Sequence, residues 1–117
     1  MHTIREELTD EECRRLLGAT SRGHLAFTRD ALPAIAPVRY AVDGDRLVIP
    51  ARPDSDHLAP AGGAVVVLGI DDAEGDAPWA VTVVGPARTV ADQDVRYVVL
   101  TIGVLRGWRT LPAPPPA

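Results

Sequence analysis

This chain contains no lysine: all twelve of its basic residues are arginine. That excludes Schiff-base chemistry through a lysine amine and leaves planar guanidinium groups to recognise anions. There is a single cysteine, Cys13, so no internal disulfide forms, which suits a reducing compartment. Aromatics are scarce too, limited to Phe27, Tyr40, Trp79, Tyr97 and Trp108, so the core must be aliphatic and rich in valine. The longest apolar run, Ala64 to Leu68, is far too short to cross a bilayer. The opening MHTIREELTDEE is acidic and lacks an apolar centre, unlike a secretory signal. A cytoplasmic protein without membrane partners is the expectation. A formal charge of −4 argues against general nucleic-acid binding, which relies on many cationic contacts to phosphate.

What is present reads as one domain over 1–111, with a Pro-rich disordered or extended tail at 112–117. Thr9 to Gly18 carries the punctuation of a short helix. Thr9 stands at the N-cap, Glu12 closes a capping box, and Leu8 and Cys13 occupy the hydrophobic-staple positions. Gly18 falls where a C-cap glycine belongs. Cys13, Leu16 and Leu17 form an apolar stripe, and Glu11 and Arg15 an i,i+4 pair. From Gly23 the hydrophobic period changes to two. Strands are predicted over Gly23–Thr28, Ala34–Val42, Arg46–Ile49, Ala64–Ile70, Trp79–Val84 (continuing towards Val90) and Val95–Val104. Turns fall at Arg29-Asp30, Asp43-Gly44 and Asp92–Asp94. Asp54 to Pro60 reads as a loop or a short helical turn after the third strand. One helix and about six strands with short connections predict a mainly β, antiparallel barrel flanked by the helix. Ala64–Ile70 is apolar enough to suggest burial on both faces, and hence contact with a second copy.

The stretch from Pro33 to Leu58 concentrates the anion-binding groups. Arg52, Ser55 and His57 lie in the loop RPDSDHL, where Asp54 or Ser55 could cap a helical turn with free N–H groups. Spacing alone is equally met by a solvated loop, and Asp54 and Asp56 count against an anion. Arg39 stands mid-strand, either facing solvent or turned into a groove beside that loop. Trp79 and Trp108 suit core or interface packing, with stacking on a planar ligand as the alternative. His24, inside an apolar strand, reads as a satisfied barrel histidine, and Cys13 as simple packing. The acidic run Asp71–Asp76 matches no calcium loop. His2, His24 and His57 share no metal-ligand spacing, and no Ser/His/Asp arrangement can be drawn.

Taken together, the helix EECRRLL, the strand GHLAFT, the hairpin PAIAPVRYAVDGDRLVI, the loop with Ser55 and the strand WAVTVVGPA resemble the pyridoxamine 5'-phosphate oxidase-like, FMN-binding split barrels. Leu100-Thr101 with Gly107-Trp108-Arg109 resembles the end of the same domain, so the likeness covers Leu8 to Leu111. It implies a six-stranded split β-barrel that forms a homodimer. It also implies FMN, or in some branches F420 or haem, in a groove at the dimer interface. By that pattern Pro37, Val38, Arg39 and Tyr40 run alongside the isoalloxazine, and the loop from Arg52 to His57 meets the flavin phosphate. Trp79 approaches the cofactor or the partner. This sequence departs from the pattern at His57, where the family has lysine. Val84 stands for an arginine, and Gly107-Trp108-Arg109 for Gly-Arg-Arg; each departure removes a fixed positive charge. The function implied is a flavin-dependent oxidoreductase acting on a small organic substrate. The alternatives are a non-catalytic carrier or sensor, or a member that has lost its flavin site.

Overall fold

The computed structural model describes residues 3–51 and 63–112. Helix α1 (Asp10–Ala19) is the only helix among them, and none is long and apolar enough to cross a membrane. The strands are β1 (Thr3–Glu7), β2 (Arg22–Arg29), β3 (Leu32–Arg39), β4 (Ala41–Asp43), β5 (Arg46–Ala51), β6 (Val65–Asp72), β7 (Trp79–Asp92), β8 (Val95–Thr101) and β9 (Val104–Pro112). All pairings are antiparallel, and together they form a mainly β split barrel. The short helical turn expected after the third strand lies outside the described residues.

Strand β7 joins the two halves of the barrel. Its first part pairs with β6 and β9, and its second part, from Ala87, pairs with β8. The change of partner falls at Gly85-Pro86. A Cβ on Gly85 would collide with the Thr101 carbonyl, so only glycine lets β7 pass that close to the end of β8. Alternation along the strands then sends one row inward. Leu25, Leu47, Ile49, Leu68, Val81, Val83, Val98 and Leu100 are all fully buried, an aliphatic core as the composition requires.

Helix α1 covers the space between the sheets with Cys13, Leu16 and Leu17. Its capping box forms as expected, with the Thr9 hydroxyl accepting from the Glu12 N–H and Glu12 accepting from the Thr9 N–H. Gly18 lies inside the helix rather than beyond it, and the C-cap is Thr20. The free carbonyls of the last turn are met by hydroxyls instead: Thr20 donates to Leu16, and Tyr40 to Leu17 at 2.8 Å. The helix's i,i+4 ion pair joins Arg14 to Asp10 rather than Arg15 to Glu11, and Arg14 also reaches Asp45 at 3.0 Å.

Several boundaries differ from the sequence reading. The strand expected over Ala34–Val42 breaks at Tyr40, whose N–H bonds the Ser21 carbonyl instead of a ladder partner. The strand expected over Val95–Val104 ends at Thr101, and β9 begins afresh at Val104 and continues to Pro112. Strand β1 was not anticipated; it is exposed along its length and held by the β9 ladder. Strand β6 is buried on one face only: Val66, Leu68 and Ile70 point inward, while Val65 is 67% exposed.

Candidate functional site

The hairpin β2–β3 sets the geometry of the site. Its two-residue connection, Asp30 and Ala31, has positive φ at both positions (50° and 64°), the I′ pattern that matches strand twist. That turn fixes the register: His24 opposes Pro37, Gly23 opposes Val38 and Arg22 opposes Arg39. On the other side of β2, His24 pairs with Gly69 of β6. The end of the hairpin and the end of β6 enclose a cavity of about 470 Å³, lined by Arg22, Gly23, His24, Pro37, Val38, Arg39, Ile70 and Asp71. The walls alternate in character. Val38 and Ile70 are buried and apolar, whereas Arg22, His24, Pro37, Arg39 and Asp71 are exposed. Gly23 permits the close approach of β6, since a Cβ there would lie 2.7 Å from the Gly69 carbonyl oxygen.

A second cavity of about 220 Å³ continues across the sheet from His24, Ile70 and Asp71 to Trp108. Gly69, Ala80 and Thr82 are among its lining residues. The Arg5 guanidinium sits 4.0 Å from the Trp108 ring centroid, which holds that indole in place. Nearby, Arg109 pairs with Glu12 at 3.6 Å. The two cavities thus form one shallow groove with a cationic end and an aromatic end.

Of the residues singled out in the sequence, the structure brings Pro37, Val38 and Arg39 together at this cavity. Tyr40 follows them in the chain, but its side chain is buried against α1, with its hydroxyl spent on Leu17. Burial pushes its phenol above the ordinary value, partly offset by the Thr20 hydroxyl. Trp79 packs against the core and is opposed in register by Asp72 and Arg109, away from both cavities. Arg52, Ser55 and His57 lie outside the described residues.

His24 is a correction: it is exposed at the junction of the two cavities, not enclosed in the barrel. Arg22, Asp71 and Trp108 were not anticipated as lining residues. Arg22 could have been found from the turn, because placing its centre at Asp30-Ala31 sets residue 22 opposite residue 39. Asp71 and Trp108 arrive through pairings between strands distant in sequence, which no local pattern encodes. Cys13 is buried, and burial raises its thiol above the ordinary value with Asp10, Glu12 and Glu7 adding to the effect, so it is a packed and unreactive group. Among the described residues no group of histidine, cysteine and carboxylate side chains is placed to hold a metal.

Residues 9–115 match the family model described as pyridoxamine 5'-phosphate oxidase. An uncharacterized protein of Mycobacterium tuberculosis is 34% identical over 105 residues, a match covering 78% of this chain and 66% of that protein. The chain therefore spans just under two-thirds of the length of that curated relative. Among solved structures, the FAD binding protein from Mycobacterium smegmatis is 25% identical with a TM-score of 0.81, covering 91% of this chain and 98% of the other. A FAD-binding protein from Mesorhizobium loti shares the fold at 18% identity, with a TM-score of 0.80 and coverage of 91% and 98%.

Proposed function

The chain belongs to the pyridoxamine 5'-phosphate oxidase family, and on that footing we propose that it is a flavin-binding oxidoreductase, a homodimer acting on a small organic substrate. The observation that carries this reading is the position of Pro37, Val38 and Arg39 along a cavity of about 470 Å³. That volume lies in the range small-molecule ligands occupy. The residues present fit a flavin ring. Val38, Ile70 and Pro37 offer apolar walls, Gly23 keeps the backbone close, and the outer side is open. A bound flavin supplies hydride and electron transfer, which no side chain here performs. The chain's part is to bind the ring, orient it and exclude water from one face, while the loop carrying Arg52, Ser55 and His57 holds the phosphate. FMN suits that loop, and the description of the Mycobacterium smegmatis protein as FAD binding makes FAD the other candidate.

The homodimer is supported by the outward face of the sheet. In register across five strands stand Ile35, Ala26, Val67, Val84 and Val104, an unbroken apolar row. Ile35 is 69% and Val104 46% exposed in the single chain. A row of this kind suits burial against a second copy.

The visible absorption spectrum of the purified protein tests the flavin assignment directly. Flavin bands, or tight uptake of added FMN or FAD, are expected. Colourless protein that ignores FMN, FAD, F420 and haem refutes it. Arg52→Ala should weaken flavin binding by about 1.5–3 kcal/mol, the worth of a charge-assisted hydrogen bond. Turnover with a reduced nicotinamide and a panel of acceptors separates an enzyme from a carrier. Sedimentation should show a dimer that Ile35→Lys dissociates.

A further inference from the structure

The two arginines at the mouth of the cavity are not explained by flavin binding. Arg22 and Arg39 oppose each other directly across β2 and β3. Like charges in that arrangement repel, and a sheet normally avoids them or places a carboxylate between them. Among the described residues neither has an ion-pair partner, although Arg14, Arg46 and Arg109 all do. Both are exposed, and both line the same cavity. The one acid beside them, Asp71, leaves an excess of positive charge even with His24 neutral. Behind the pair the walls turn apolar at Pro37, Val38 and Ile70. Two forks of N–H donors converging at the rim of an apolar pocket match an oxyanion attached to a compact apolar body.

We propose that Arg22 and Arg39 form a subsite for the anionic group of a small organic substrate, a carboxylate or phosphate ester whose apolar part lies against Pro37 and Ile70. The assignment rests on the flavin reading in one respect: the flavin phosphate goes to the loop after β5, leaving this pair to the second ligand. The repulsion between the arginines is relieved when the anion arrives, so charge on the ligand selects for binding here.

The test uses the full chain, first without flavin and then saturated with FMN. Titration calorimetry compares benzoate and phenyl phosphate with benzamide, a neutral isostere of benzoate. The anions should bind about tenfold or more tightly than benzamide, and less tightly as sodium chloride is raised. Arg22→Gln and Arg39→Gln should each cost the anions about tenfold while leaving benzamide unchanged. Equal affinity for benzoate and benzamide, or a flat salt dependence on the unaltered protein, overturns the subsite without recourse to any variant. FMN affinity should stay within about threefold in both glutamine variants, against the tenfold of a lost charge-assisted contact. A tenfold loss for FMN with riboflavin unchanged would mean that the pair holds the flavin's own phosphate, which also overturns the proposal. Should the protein bind no flavin at all, the flavin reading fails, and the calorimetry on unloaded protein still decides the subsite.

Discussion

Replacing Tyr40 by phenylalanine isolates one hydrogen bond that ties the helix to the barrel. The Tyr40 hydroxyl donates to the Leu17 carbonyl at 2.8 Å, and both residues are buried, at 5% and 1% exposure. That carbonyl lies in the last turn of α1, where no intrahelical N–H remains to reach it. The change keeps the ring and its packing, so no cavity opens. It removes the donor and leaves a buried acceptor without a partner, at a cost of about 1–2 kcal/mol. For a domain of this size the midpoint should fall by roughly 3–8 °C. Urea unfolding followed by tryptophan fluorescence measures the loss, since Trp79 packs on the core. The same variant tests the titration. Burial raises the folded-state phenol, so the neutral form is favoured in the native protein. The stability it contributes is fully present below the unfolded value near 10 and is lost as pH climbs through the raised folded one. Tyr40→Phe should flatten that alkaline decline. A variant within about 0.3 kcal/mol of the parent, with the same decline, would refute the account. A loss of flavin affinity exceeding the loss of stability would place the hydroxyl at the ligand instead.

Gly85→Ala should prevent native folding, because the added Cβ meets the Thr101 carbonyl, a backbone group with no rotamer to yield; a soluble variant with the parental circular dichroism spectrum and midpoint would contradict this. Thr9→Ala should cost about 1 kcal/mol in denaturant unfolding by dismantling the capping box. It should also alter the acid limb of stability. Hydrogen bonds from Thr9 hold the Glu12 carboxyl below its ordinary value of 4.5, so its contribution is present above that value and fades as pH falls through the lowered one. In Thr9→Ala that acid-side loss should shrink, as read from the pH dependence of the urea midpoint.

The helix and most strands were legible because their signals are local. Thr9, Glu12, Leu8 and Cys13 state a helix start within five residues, and Asp43-Gly44 states a hairpin by its turn chemistry alone. The helix end was not legible, since Gly18 invites a local cap while the carbonyls there are met by Thr20 and by Tyr40, a residue beyond β3. Strand β1 escaped notice for a related reason: TIREE has no inward face, and only its ladder with β9 makes it a strand.

The sequence by itself determined the fold class, the family and the segment Pro37 to Arg39 as a lining of the site, because periodicity, turn residues and motif order are properties of neighbours along the chain. Tertiary structure decided what that segment faces. Register across β2, β3 and β6 set Arg22 against Arg39, brought His24 and Asp71 beside them, and turned Tyr40 inward to the helix. Those placements depend on hydrogen-bonded pairing between strands dozens of residues apart, where a shift of one residue exchanges the faces of a strand.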